Sequence, residues 1–78
     1  MATTKTTLNK NWVILTTSDC YIQKQSVDCN IYIAYDTTTP TGTPIKIEDN
    51  QVRSFAAPST GSIYARADVE TVISLTEL

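Results

Sequence analysis

Histidine is absent from the chain, and that absence removes several familiar routes to enzymatic chemistry. Nucleophilic catalysis of the Ser-His-Asp or Cys-His kind needs an imidazole base. Metal binding also loses its commonest ligand, and the two cysteines, Cys20 and Cys29, do not form a Cys-x-x-Cys pair. Glycine is almost as scarce: only Gly42 and Gly61 occur, both in loop-like surroundings. The glycine-rich loops that cradle phosphate groups need several at fixed spacing. Basic charge is thin as well. The six Lys and Arg residues are scattered, the net charge is −2 and the pI is about 4.7. A nucleic-acid partner would call for a basic stripe that releases phosphate counterions, so none is expected. No apolar run approaches the ~20 residues of a membrane span, so no membrane partner is expected either. Met1–Thr7 carries no apolar segment behind its charge, so no secretory signal is read there. The expectation is a chain that folds in a cytoplasm, with its thiols reduced.

Carboxylates are the remaining candidates for acid–base work. Glu48 with Asp49, and Asp68 with Glu70, are the close pairs. Both sit in polar segments that read as exposed turns, where little would shift their pKa values. Solvated turn residues are the simpler reading, and no EF-hand spacing favours calcium. No enzyme activity, cofactor or metal is expected.

With 78 residues the chain has room for one domain. A domain of this size buries only ~60% of the surface its unfolded chain exposes, and commonly takes support from disulfides, metals or self-association. Cys20 and Cys29 flank Ser26-Val27-Asp28, which reads as a turn between two strands. Across a tight turn Gln25 would face Cys29 and leave Cys20 several residues away, beyond the reach of a disulfide. Two buried thiols are therefore expected. Oligomerisation remains by elimination.

Residues 1–10 are polar and Thr-rich, with Leu8 the only large apolar residue after Met1. They read as an arm outside the core. A frayed terminus and an arm that orders on a partner both fit. The domain proper then spans residues 11–78. Trp12-Val13-Ile14-Leu15-Thr16 is apolar on both alternations, which predicts a strand covered on both faces. After a turn at Thr17-Ser18-Asp19, Cys20–Gln25 alternates with Cys20 and Ile22 on one face. Ile31, Ile33 and Tyr35 share a face of the next strand, and Tyr32 and Ala34 the other. These two strands read as a hairpin. Thr37–Pro44 is a loop, Ile45–Ile47 a short strand, Glu48-Asp49-Asn50 a turn, and Val52–Phe55 another strand. After a loop to Gly61, Ser62–Ala67 alternates, Asp68-Val69-Glu70 turns the chain, and Thr71–Thr76 closes it. Ala65–Glu70 has some helical propensity, but the segment is too short to stand alone. The sum is about seven short strands at roughly ten-residue spacing, the pattern of an all-β antiparallel sandwich or small barrel.

Aromatic side chains are the remaining functional handle. Trp12 and Phe55 read as core. Tyr21, Tyr32 and Tyr64 fall opposite the apolar positions of their strands, and Arg66 follows Tyr64 on the outward parity. Tyr21, Tyr32, Tyr64 and Arg66 are the candidate interface residues. Outward tyrosines suit a protein–protein interface, or a platform for a glycan. Ordinary cross-strand packing uses the same residues.

The Trp-led strand Asn11-Trp12-Val13-Ile14-Leu15, the Thr39-Pro40-Thr41-Gly42-Thr43-Pro44 loop, Gly61-Ser62-Ile63-Tyr64-Ala65-Arg66-Ala67 and the terminal Ser74-Leu75-Thr76-Glu77 together carry a resemblance. From Asn11 to Leu78 the chain resembles small β-sandwich virion structural proteins of tailed bacteriophages, of the head-decoration or tail-accessory type. Its most specific part is the Tyr64-Ala65-Arg66-Ala67 strand, followed by a brief turn and a Thr-Glu strand. The chain is richer in threonine and poorer in glycine than that loose group. The resemblance implies a homo-oligomer, often a trimer, fixed to other virion proteins such as capsid or tail subunits. The protein would be made in the host cytoplasm and carried on the virion. A capsid decoration subunit is the leading expectation. A head–tail or tail accessory protein is the alternative within the class, and a carbohydrate-binding adhesion module the alternative outside it.

Overall fold

Eight strands carry the alternation into three dimensions: β1 (Ala2–Leu8), β2 (Val13–Thr16), β3 (Cys20–Lys24), β4 (Ile31–Asp36), β5 (Ile45–Ile47), β6 (Arg53–Phe55), β7 (Ser62–Ala67) and β8 (Thr71–Glu77). The structure is a computed structural model and describes residues 2–25 and 29–78. The strands form two four-stranded antiparallel sheets, ordered β1-β8-β3-β6 (sheet A) and β2-β7-β4-β5 (sheet B). The sheets pack face to face as a small all-β sandwich. Ile22, Ile73, Leu75 and Leu8 of sheet A meet Ile31, Ile33, Ile47, Ile63, Ala65 and Ala67 of sheet B. Every one of these sits on the same parity of its strand, so period-two patterning alone selects the inner faces.

Sequence neighbours mostly lie across the sandwich from each other. Among the described strands, only β4 and β5 are consecutive and hydrogen-bonded to one another. The expected hairpin of Cys20–Gln25 with Ile31–Tyr35 is therefore not formed. β3 pairs with β6 and β8, and β4 pairs with β5 and β7. The reason lies in what each strand must bury. Placed in opposite sheets, Cys20 and Ile22 face the apolar side of β4 through the core rather than flanking it edge to edge. The turn read at Ser26-Val27-Asp28 lies outside the described residues.

The first ten residues also depart from expectation. Ala2–Leu8 is not an arm but an edge strand paired along its whole length with β8, from Ala2 opposite Glu77 to Leu8 opposite Thr71. Leu8 is fully buried and closes one end of the core. β-branched threonine suits a pleated edge, where one side of the strand stays wet. β2 is likewise not covered on both faces. It is the edge of sheet B, with a bulge between Ile14 and Thr16, and Ile14 is 59% exposed.

One device ties the sheets together, and a second fixes the β4–β7 end of sheet B. Lys24 continues the inward parity of Cys20 and Ile22, and only 1% of it is exposed. Its ammonium donates to the carbonyl of Cys29 at 2.7 Å and to that of Glu48 at 2.5 Å. One buried cation thus clasps β3 to the segments that lead into β4 and out of β5. At the other end, Gly61 adopts φ +81° beside the end of β4. A Cβ there would lie 2.4 Å from the Asp36 carbonyl oxygen, so only glycine fits.

Candidate functional site on the outer face of sheet B

The register of sheet B sets its outward residues in rows across the strands. Tyr32 on β4 is opposite Arg66 on β7 and Lys46 on β5. Trp12 precedes Val13, whose partner is Ala65, so the indole stands level with Arg66 on the other flank. One row therefore reads Trp12, Arg66, Tyr32, Lys46. The next reads Ile14, Tyr64, Ala34, since Tyr64 is opposite both Ile14 and Ala34.

The first row is a ladder of alternating rings and cations. The Arg66 guanidinium carbon lies 4.4 Å from the centre of the Tyr32 ring and 5.1 Å from that of Trp12. Each such contact is worth about 0.5–1 kcal/mol at a partly wet site and more once water is excluded. Both rings are half-buried, and Arg66 is too. Lys46 ends the row in a 3.1 Å ion pair with Glu48, and this hydrogen-bonded partner raises the Lys46 pKa above its usual value. In the second row Tyr64 is packed between its neighbours and only 8% exposed, while Ile14 stands open to solvent.

The sequence-predicted candidates thus divide. Tyr32 and Arg66 are in contact. Tyr64 is on the same face but largely covered. Tyr21 is on the far side of the molecule, facing outward from sheet A between Thr76 and Ser54. Trp12, expected in the core, belongs to the site instead. Its strand was apolar on both parities, which hid the fact that one of those parities faces out. Ile14 was missed for the same reason. Phe55 does pack against the core, as expected.

Elsewhere several acidic side chains make local contacts. Asp49 pairs with Arg53 and accepts from the Gln51 amide. Asp68 accepts from the amide and the side chain of Asn30. Asp19 accepts from the Ala57 amide, and its carbonyl accepts from Leu78. Cys20 and Cys29 are both free and buried. Burial pushes the Cys20 thiol pKa up, and the nearby charges of Glu77 and Asp19 push it further, so the sulfur stays protonated and unreactive. Tyr35 lies at the open end of the sandwich, where its hydroxyl donates to the Ala56 carbonyl at 2.8 Å. Among the described residues, no group of three or more acids or cysteines is placed to hold a metal ion. A cleft of about 240 Å³ opens between β4 and the Pro40–Ile45 segment, lined by Ile33, Tyr35, Pro40 and Ile45. It holds no convergent set of charged groups.

Compared with known proteins, the chain matches no family model, no curated protein and no solved structure.

Proposed function

We propose that the chain is a non-catalytic structural subunit of a tailed-phage particle, a capsid decoration subunit that docks on a neighbouring virion protein through the outer face of sheet B. The virion assignment rests on the sequence resemblance from Asn11 to Leu78. The docking face rests on one observation: the Trp12, Arg66, Tyr32, Lys46 row, with Ile14 exposed beside it. Trp, Tyr and Arg are the residue types that most often dominate binding energy at protein interfaces. A small, thin-cored domain displayed in many copies gains from weak contacts that multiply once several engage together. Self-association fits the same economy of size.

A head–tail or tail accessory role would use the same face. The carbohydrate reading is less well served. Sugar rings stack on free aromatic faces, and here the guanidinium already occupies part of the π surface of both Trp12 and Tyr32.

The test compares wild type with Trp12→Ala and Tyr32→Ala. Each variant should stay folded by circular dichroism and lose roughly 30-fold in affinity for the particle, equivalent to about 2 kcal/mol. A mass-spectrometric inventory of the purified particle should contain the chain. A protein that is absent from the particle, strictly monomeric by light scattering and specific for one sugar on a glycan array would overturn the reading.

A further inference from the structure

Arg66 is set apart from the chain's other described cations by the two rings that hold it while its donors stay free. Lys24 is satisfied by two backbone carbonyls, Lys46 by Glu48, and the second arginine, Arg53, by Asp49. The Arg66 guanidinium, like the Lys5 and Lys10 ammonium groups, makes no hydrogen bond and no salt bridge with any described residue, but it lies over two aromatic rings. Among the described residues, its specific side-chain partners are the two rings. A guanidinium lying over aromatic rings spends its flat faces on them, while its N–H donors radiate in its own plane. That plane is the one a carboxylate uses for a two-pronged hydrogen bond. The rings also fix the side chain beforehand, so a partner that binds it orders less on arrival. The two acids closest in register, Glu48 and Asp68, are taken up by Lys46 and Asn30. No described acid of the chain competes for the site.

We propose that Arg66, held by Trp12 and Tyr32, receives an Asp or Glu carboxylate from the partner protein, with Ile14 and the rings sealing the contact from water. The proposal rests on the docking reading above and names the chemistry of its partner. A nucleic-acid phosphate is the less suitable occupant. A few scattered cations on a protein of net charge −2 offer no track along which a backbone could lie.

The experiment is a titration of ¹⁵N-labelled full-length protein with N-acetylglutamate N-methylamide, followed at the Arg66 Nε–H and Trp12 indole N–H resonances. Both should shift saturably, and the glutamine analogue at equal ionic strength should move them at least tenfold less. Arg66→Lys keeps the charge but not the planar fork, and should lose the saturable shift while the rest of the spectrum stays in place. Equal shifts from the glutamine analogue, or an unchanged response in Arg66→Lys, would overturn the proposal. Tighter saturation by methyl phosphate or oligothymidylate would overturn it too, because the site would then be one for phosphate. Attachment to the particle separates this proposal from the docking reading. Ile14→Ser lies off the guanidinium. If it abolishes attachment while Arg66→Lys does not, the face docks but the carboxylate contact falls; if neither variant matters, both fall.

Discussion

The two outer faces of this sandwich are built on the same pleat and carry opposite chemistry. On sheet A the outward row is Thr3, Thr76, Tyr21 and Ser54, with Lys5, Ser74 and Gln23 in the next. Hydroxyls and amides there bond to one another. Thr3 and Thr76 meet at 2.7 Å, and Gln25 donates to Ser74 at 2.9 Å. Sheet B presents rings, a guanidinium and an open isoleucine. Both faces contain an outward tyrosine, so the presence of an aromatic does not by itself distinguish them. Tyr21 is 41% exposed among polar neighbours, whereas Tyr32 stacks against a cation. The lesson is that an aromatic becomes a recognition element through its cross-strand neighbours. Sheet A presents polar groups that bond to one another, and sheet B presents stacked rings and a guanidinium beside an exposed isoleucine.

The contrast holds only if one rigid sandwich carries both faces, and the largest expected effects come from breaking it. Lys24→Met keeps the buried stem and removes the ammonium, leaving the Cys29 and Glu48 carbonyls without their donor. The expected cost is about 2–4 kcal/mol, from one buried and one partly buried acceptor at 1–3 kcal/mol each with partial relaxation. Urea denaturation measures it, and both faces should fail together. Gly61→Ala should cost about 2 kcal/mol or more, because the left-handed φ and the close Asp36 carbonyl leave no room for a methyl group. Leu8→Ala should cost about 3 kcal/mol, which would establish β1 as core structure and not an arm. A frayed terminus would show no change.

The next effect sharpens the contrast directly. Trp12→Ala and Tyr32→Ala should each weaken attachment by about 2 kcal/mol. Tyr21→Ala on sheet A should leave it within about twofold, since a surface side chain outside the contact costs within ~0.5 kcal/mol. Surface plasmon resonance on immobilised particles reads the difference.

A smaller effect follows from ionisation of the buried Cys20 and of the half-covered Tyr35 near it. Burial, with Glu77 and Asp19, raises the Cys20 pKa above 9.0, and burial, with Cys20 and Asp19, raises that of Tyr35 above 10.0. In both cases the folded protein holds its proton where the unfolded chain releases it. Their contribution is fully present below about pH 9 and is lost as pH rises through the elevated folded values. Denaturation midpoints should therefore fall as pH rises from about 8 to 11, and Cys20→Ala should flatten the fall. Neither thiol should react with iodoacetamide until the protein unfolds. The smallest effect belongs to sheet A: Thr3→Val loses one exposed hydroxyl contact and should change stability by less than ~0.5 kcal/mol.

Much of this fold was legible in the sequence because parity is local. Ile31, Ile33, Ile63, Ala65 and Ala67 declare the inner faces without reference to any partner, and the strand boundaries followed. Pairing was not legible, because alternation says which way a side chain points and not which strand lies beside it. The supposed hairpin of β3 with β4 failed on that ground. β1 was hidden by its composition: a Thr-rich edge strand with one buried leucine looks like a polar tail until its partner β8 is known. Lys24 was legible in principle, since it shares the parity of Cys20 and Ile22, but its charge argued against burial. At the candidate site Tyr32 and Arg66 were readable as outward. Trp12 was not, because β2 is apolar on both parities and only its place at the sheet edge decides which one meets water.

The central claim is that the molecule docks by the outer face of sheet B. Hydroxyl-radical footprinting of the protein, free and on the particle, tests it most directly, because rings and aliphatic side chains on both faces report their own exposure. The account predicts that oxidation of Trp12, Ile14 and Tyr32 falls severalfold on binding while oxidation of Tyr21 is unchanged. Protection of Tyr21, with Trp12, Ile14 and Tyr32 as reactive as in the free protein, would contradict it.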